Sequence, residues 1–327
     1  SRSLRKITMN LMGALPSADH QRRVQNGGES VLIEVVEEVL SGVDQGYAEN
    51  TKQLISDQLV QIWNDQLLTD RYLEGGTAIN GSDYDRYPNL YYYQTWDEQY
   101  YSTAVRNLVN DSIAREPLEL MRYVFLEDRP WSEILIADYT MLNDWSAFAY
   151  SLGSSPTYGD ERHETFYPMQ LSSVPTVGIL TSSSFLNRYP TTDTNRNRHR
   201  SKVIFDYFLN TNVLALADRP IDATNSAIHN PTLNDPQCNV CHSLIDPVAG
   251  AFQNWDDDGH YNPRDEGWYP EMFAPGFEED AIAVNESAEA LRWLAELIVI
   301  DRRFARATVN SVFEGITGFA LLRGYEE

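Results

Sequence analysis

The sequence predicts a mainly α-helical protein built from two helical parts with long irregular loops. Three observations carry that expectation. Apolar residues recur at helical spacing in several separate stretches, and turn formers cluster between those stretches. At 327 residues the chain exceeds one typical domain, and a hydrophobic fraction of 42% is enough to build sizeable cores. The expected layout is a helical N-terminal domain over 1–150, an irregular boundary over 151–172, and a second helical domain over 173–327.

The elements follow in order. Leu32, Val35, Val36, Val39 and Leu40 keep a helical period that Ser41-Gly42 stops. Residues 51–73 read as a helix with Leu54, Ile55, Leu59, Ile62 and Leu68 along one face. A turn-rich loop follows, with Gly75-Gly76, Asn80-Gly81-Ser82 and Pro88. Next come Tyr91-Tyr92-Tyr93 and a helix over 97–115, and Pro117 starts another that reaches about residue 126. Ser132 is placed to cap a short helix through Ala137 and Met141. After the boundary segment, a helix is expected from Ser201 to Leu216. Loops rich in Pro, Asn and Asp occupy 217–237 and 254–282. Leu291 to Leu322 reads as two helices or one bent helix, with Phe304, Thr308, Val312, Ile316 and Phe319 at helical spacing.

Charge and motifs exclude several functions. Net charge is −23, from 48 acids against 25 bases, which argues against nucleic acid and anionic lipid and favours basic or cation-bridged partners. No apolar run reaches the roughly 18–20 residues that span a bilayer. Hydrolytic motifs are missing: there is no Gly-x-Ser-x-Gly, no His-Glu-x-x-His and no phosphate loop.

Chemistry concentrates in Cys238-Asn239-Val240-Cys241-His242, a C-x-x-C-H that uses the chain's only 2 cysteines. That spacing suits covalent haem: two thiols on one helical turn form thioethers, and the adjacent His becomes an axial ligand. A structural disulfide, a redox-active pair and half of a zinc site are the other readings. Zinc lacks a second cysteine pair, and a redox pair has no need of the following His. The loops at 217–237 and 254–282 flank the motif, so the second domain is expected to be the haem-binding one.

The context of the motif resembles a known family. Asp235 to Pro247, followed by Ala251-Phe252-Gln253-Asn254-Trp255-Asp256 and Gly259, is similar to the planctomycete-type cytochrome domain of unknown function. That family shows C-x-x-C-H, then Asp-Pro, then aromatic-Asp-x-x-Gly. Upstream, Gly178 to Ser182 and Arg198-His199-Arg200-Ser201-Lys202 resemble its preceding segment. Leu294 to Ile298, Arg303 to Arg306, and Leu4 to Ile7 with Leu11 to Pro16 resemble other modules of such proteins. The chain departs at Ala249, where the family has Gly, and at Gln253, where it has Glu. It also carries extra residues between His229 and Cys238. The resemblance implies an exported, haem-bearing protein, hence a periplasmic or extracellular location after removal of an export signal.

His242 is therefore the expected iron ligand. The sixth ligand decides between electron transfer and small-molecule chemistry. His229 is the first candidate: it lies nine residues before Cys238, and eight intervening residues span at most about 30 Å. His199 is second; His20, His163, His260 and the loop residues Met169 and Met272 follow. Arg198 and Arg200 stand out as basic residues suited to haem propionates, which guanidinium groups bind in bidentate pairs. Asp256-Asp257-Asp258-Gly259 invites a calcium reading but lacks the spaced ligand pattern and a distal Glu. A solvated turn is the simpler account, with Asp246 and Asp256 capping helices or bonding backbone amides. The expected function is a monohaem c-type cytochrome that carries electrons as one subunit of an exported or membrane-associated assembly, with other redox proteins as partners. The rivals are a haem peroxidase or oxidase-like enzyme with an open distal site, and a structural subunit whose haem stabilises the fold.

Overall fold

Helices dominate the protein, as expected, and their boundaries follow local chemistry. The structure, a computed structural model, describes residues 2–42, 50–70, 86–90, 92–95, 99–172, 174–216, 229–257 and 259–321. The expected loop glycines at 75–76 and 81, Tyr91, Pro220 and Asp258 lie outside those residues. Contacts divide the chain into two units that are not sequential halves. One comprises 1–67, 121–131 and 309–327; the other comprises 68–120 and 132–308.

The first unit contains α1 (Arg2–Met12), α2 (Ala18–Ser41) and α3 (Thr51–Leu67). Ser17 caps α2 by accepting from His20 N at 3.1 Å. Gly42 ends it in the left-handed region, its N–H donating to Val39 O, which is the expected stop. Inside α2 the backbone breaks at Gly28 (φ 69°, ψ −146°), a conformation that only glycine adopts without strain. Leu4, Val24 and Val35 form a core that Val31 and Leu32 extend. Each such side chain, fully buried, contributes roughly 1.5–3 kcal/mol.

In the second unit lies most of α4 (Gln99–Leu126). Two helices were expected there, divided at Pro117, yet α4 is continuous through it. Proline removes one backbone donor and costs about 3 kcal/mol in a helix interior. Tertiary burial offsets that cost: Val105, Val109 and Ile113, at successive four-residue steps, are all fully buried. They pack with Tyr87, Leu90, Leu142 and Trp145. The helix after Ser132 is also shorter than expected. α5 covers only Glu133–Ile136, Ser132 makes no side-chain cap, and Met141 belongs to β1 (Thr140–Leu142).

β1 pairs antiparallel with β2 (Tyr167–Met169), in the register Thr140 to Met169 and Leu142 to Tyr167. α6 (Asp144–Ala149), capped by Asn143 through Ser146 N, lies between the two strands in sequence. Leu152, Tyr158 and Leu171 pack on the Trp145 core. The expected boundary over 151–172 thus lies inside the second unit, tied in by a strand pair and by apolar contacts.

α7 (Ser183–Arg188), capped by Ser182, was not expected. α8 (Arg198–Val203) starts three residues before the expected Ser201 and continues as a wider π-type turn over Ile204–Phe208. The stretch does not run on as one helix to Leu216. Asn210 adopts φ 46°, and Asn212 Oδ1 accepts from Leu214 N at 3.1 Å, so local side-chain bonding interrupts the ladder. A 3₁₀ turn over Val213–Leu216 follows. Then come α9 (Pro231–Asn234) and α10 (Pro236–Ala251), and a β3 (Gly276–Phe277) and β4 (Asp280–Ala281) pair. α11 (Ala290–Ile300) and α12 (Arg302–Thr317) are two helices, with Phe304 buried as its spacing implied.

A polar network is buried inside this unit. Arg86 Nη1 donates to Gly259 O at 2.9 Å, and Nε and Nη2 lie 3.4 and 3.3 Å from Tyr150 Oη. Tyr150 Oη is 2.9 Å from Tyr87 Oη and donates to Glu116 Oε2 at 3.1 Å. Glu116 Oε1 has no partner among the described residues. Burial pushes the Glu116 carboxyl up to about 8, against the opposing pull of Arg86 and of the Tyr150 hydrogen bond.

Candidate cofactor site

The C-x-x-C-H segment opens α10. Asp235 caps this helix, accepting from Gln237 N at 2.9 Å, and Pro236 occupies its first turn, where its missing N–H costs nothing. Cys238, Cys241, His242, Ile245, Asp246 and Ala249 fall at helical positions i, i+3, i+4, i+7, i+8 and i+11, so they share one stripe. Cys238, Ile245, Asp246 and Ala249 are buried. At the far end, a Cβ on Gly250 would lie 2.6 Å from Pro275 Cγ, so only glycine permits that approach.

Both cysteines are free thiols. Cys241 Sγ donates to Val213 O at 3.3 Å. Burial pushes both thiols above their ordinary value, with Asp235 adding to the effect at Cys238. Leu214 and Leu216, on the 3₁₀ turn that Cys241 meets at Val213, are exposed. Exposed apolar side chains next to an attachment motif suit the face of a macrocycle.

His242 is oriented by its own helix. Its Nδ1 lies 3.0 Å from Asp246 Oδ1, one turn on. Asp246 is fully buried and also receives Arg198, with Nε to Oδ1 at 2.7 Å and Nη2 to Oδ2 at 3.1 Å. Burial alone would raise the Asp246 carboxyl; the His242 and Arg198 hydrogen bonds hold it below its ordinary value. With Nδ1 engaged, Nε2 is the nitrogen left for a metal, which is the carboxylate–histidine arrangement that fixes ring orientation and raises ligand basicity. The donor set therefore fits a covalently held haem: two thiols, an oriented imidazole and adjacent apolar side chains.

Arg198 and Arg200 are placed otherwise than expected. Arg198 grips Asp246. Arg200 is fully buried, and its five N–H groups go to Tyr189 O, Asn197 Oδ1, Trp255 O, Leu186 O and Asp256 O. Arg200 has no donor left for a propionate; it ties α8 to two loops. Burial lowers its pKa to about 9. Asp246 caps nothing, and its role as the anchor of His242 was legible only in the i, i+4 spacing.

The other histidines are dispersed. His229 is exposed, its carbonyl accepts from Asn234 Nδ2, and its imidazole bonds to no described residue. His199 stacks edge-on against Tyr189 at 5.2 Å, and partial burial with nearby Lys202, Arg188 and Arg200 lowers its pKa. His20 is buried and lies 3.8 Å from Glu38. His163 Nδ1 is 2.5 Å from Asp144, and His260 is 3.6 Å from Asp256. Met169 lies on β2, and Met272 is buried. In the calcium segment, Asp256 Oδ1 accepts from His260 N at 2.8 Å, closing a turn. Among the described residues no cluster of His, Cys, Asp and Glu has metal-holding geometry, and no helix is long and apolar enough to cross a membrane.

Residues 176–265 match the family model described as PSCyt3, a protein of unknown function (DUF1588). It is a planctomycete cytochrome-type domain. The match contains α7 through α10, with the Arg198–Asp246–His242 linkage and both thiols. The N-terminal and C-terminal segments that resemble further modules of such proteins lie outside it. No curated protein and no solved structure matches the chain.

Proposed function

We propose that this protein is a monohaem c-type cytochrome that carries electrons. The carrying observation is the α10 stripe: two free thiols followed by an imidazole whose Nδ1 is held 3.0 Å from a buried carboxylate. Cys238 and Cys241 would hold the group, each thiol adding its S–H across one vinyl double bond so that no net oxidation is needed, and His242 Nε2 would be the nitrogen that binds its iron. A bound haem contributes reversible one-electron chemistry at iron. The chain's own part is to set ligand basicity through Asp246 and to offer apolar side chains, Leu214 and Leu216, on the turn that meets Cys241. His229 is the distal ligand in this reading, because its imidazole is exposed and engages no described residue; His199 is next. Covalent haem attachment places the protein in the periplasm or outside the cell. The charge of −23 favours a basic redox partner, met as a fellow subunit of an assembly.

One series of variants tests this. Wild-type protein keeps haem stain after denaturation and shows a six-coordinate low-spin spectrum. Cys238→Ala with Cys241→Ala loses the stain, and persistence of stain there would overturn the reading. His229→Ala keeps the haem but turns high-spin and binds carbon monoxide; an unchanged low-spin spectrum would remove His229 as ligand. A five-coordinate high-spin wild type would favour the peroxidase or oxidase-like enzyme instead.

A further inference from the structure

The second unit holds a cavity of about 440 Å³ that shares no lining residue with the Cys238–His242 segment. Its floor is deep: Asn197, Gln253 and Trp255 are 5%, 8% and 3% exposed. Buried side-chain amides are hydrogen-bonded in folded proteins. Gln253 makes no such bond to a described residue, so its amide is left for whatever fills the cavity.

The wall is rigid before anything binds. Arg196 and Asn197 adopt consecutive left-handed conformations, φ 48° and 66°, which are strained for residues with a side chain. The turn is held by Asn197 N donating to Thr191 Oγ1 at 3.0 Å and by Asn197 Nδ2 donating to Phe252 O at 3.3 Å. It sets Arg196 over the Tyr269 ring at 4.0 Å, where Arg264 lies at 4.1 Å. Arg264 Nη1 also donates to Tyr269 Oη at 2.7 Å. Trp268 spends its N–H on Phe273 O at 2.8 Å, so it offers ring carbon and no donor. Preorganised walls of this kind reduce the ordering cost of binding.

Charge narrows the ligand. Asp193, Asp256 and Asp257 line the cavity beside Arg196 and Arg264, and both guanidinium groups are already paired, Arg196 with Glu271 at 2.5 Å and Arg264 with Glu266 at 3.6 Å. An anion would therefore meet three carboxylates and only guanidinium groups that are already paired, on a chain of net charge −23. A neutral ligand with an apolar face and many hydroxyls suits the lining. Aromatic carbon packs on a pyranose C–H face, while planar carboxylate, amide and guanidinium groups take vicinal hydroxyls in pairs. The volume falls within the usual range of about 300–1,000 Å³ for small-molecule sites.

We propose that this cavity is a binding site for a neutral saccharide, of one or two sugar units. The site is independent of the haem reading, since it uses none of the haem residues. The test is calorimetric titration of the full-length wild-type protein with a panel of neutral hexoses, pentoses and their disaccharides, beside glucuronate and inorganic phosphate. At least one neutral sugar binds at millimolar concentration or below, and glucuronate and phosphate bind at least tenfold more weakly. Gln253→Met and, separately, Trp268→Ala lower that affinity tenfold or more. The rim variant Asp257→Asn, which removes no packing, lowers it about threefold. Titrations without heat for every neutral sugar would overturn the proposal. So would stronger binding of the anions, or unchanged affinity in all three variants with circular dichroism like wild type.

Discussion

Two buried acids in the same unit titrate in opposite directions. Asp246 and Glu116 are both fully buried, and each has an arginine nearby. Asp246 lies below its ordinary value and Glu116 is pushed up to about 8. The difference is how each arginine spends its donors. Arg198 gives Asp246 a bidentate pair while His242 Nδ1 adds a third contact. Arg86 directs its donors to Tyr150 Oη and Gly259 O, so among the described residues Glu116 receives one tyrosine hydroxyl on Oε2 and nothing on Oε1. Nearby charge alone does not keep a buried carboxylate ionised; hydrogen bonds to its oxygens do.

Breaking the stronger set has the largest effect. Asp246→Ala strands the Arg198 guanidinium and frees the His242 ring, and costs about 3 kcal/mol. Denaturant unfolding at pH 7 measures it, and a loss below about 1 kcal/mol would mean that solvent compensates both partners.

Arg198→Met is next. It leaves Asp246 with His242 alone and costs about 2 kcal/mol. The pH dependence sharpens the point. Because the folded Asp246 pKa is depressed, its contribution is complete above the ordinary value of 3.8 and is lost as pH falls through the folded value. Removing Arg198 moves that loss to higher pH, so acid unfolding of the variant begins earlier. Coincident acid transitions would show that His242 alone sustains the shift.

Glu116→Gln tests the other acid and has the smallest effect near pH 5. The folded Glu116 pKa is raised, so its contribution is present below the ordinary value of 4.5 and is lost as pH rises toward about 8. Wild type therefore loses up to about 1.4 kcal/mol per pH unit through that window, and the glutamine variant does not. Thermal melts at half-unit steps from pH 4.5 to 8.5 read this out. Parallel curves would show that Glu116 keeps its charge.

Reading order and tertiary contact separate clearly in the site. That Cys238, Cys241 and His242 share one face was legible because it depends on spacing along one helix, and helical geometry is local. The Gly42 stop and the division of 290–317 into helices belong to the same class, whereas α9 and the first turn of α10 lie where a loop over 217–237 was expected. Asp246 was half legible: its four-residue distance from His242 was on view, but a cap was the simpler account of a lone aspartate. Arg198 and Arg200 stood out as basic residues in an acidic chain, but Arg200 is fully buried and Arg198 is engaged with Asp246, through partners 48 to 56 positions away that the sequence does not display. The Gln253 cavity gave no signal, since its lining is gathered from 191–197, 253–257 and 262–269.

By itself, then, the sequence determined the helical class, the acidic surface and the thiol–thiol–imidazole order, because periodicity, charge and motif spacing all act over one or two helical turns. Only the tertiary structure decided that α4 runs through Pro117, that 151–172 ties into a unit instead of dividing two, and which buried acid keeps its charge. Those outcomes depend on how many donors and how much apolar surface distant segments bring to one point, and packing alone sets that number.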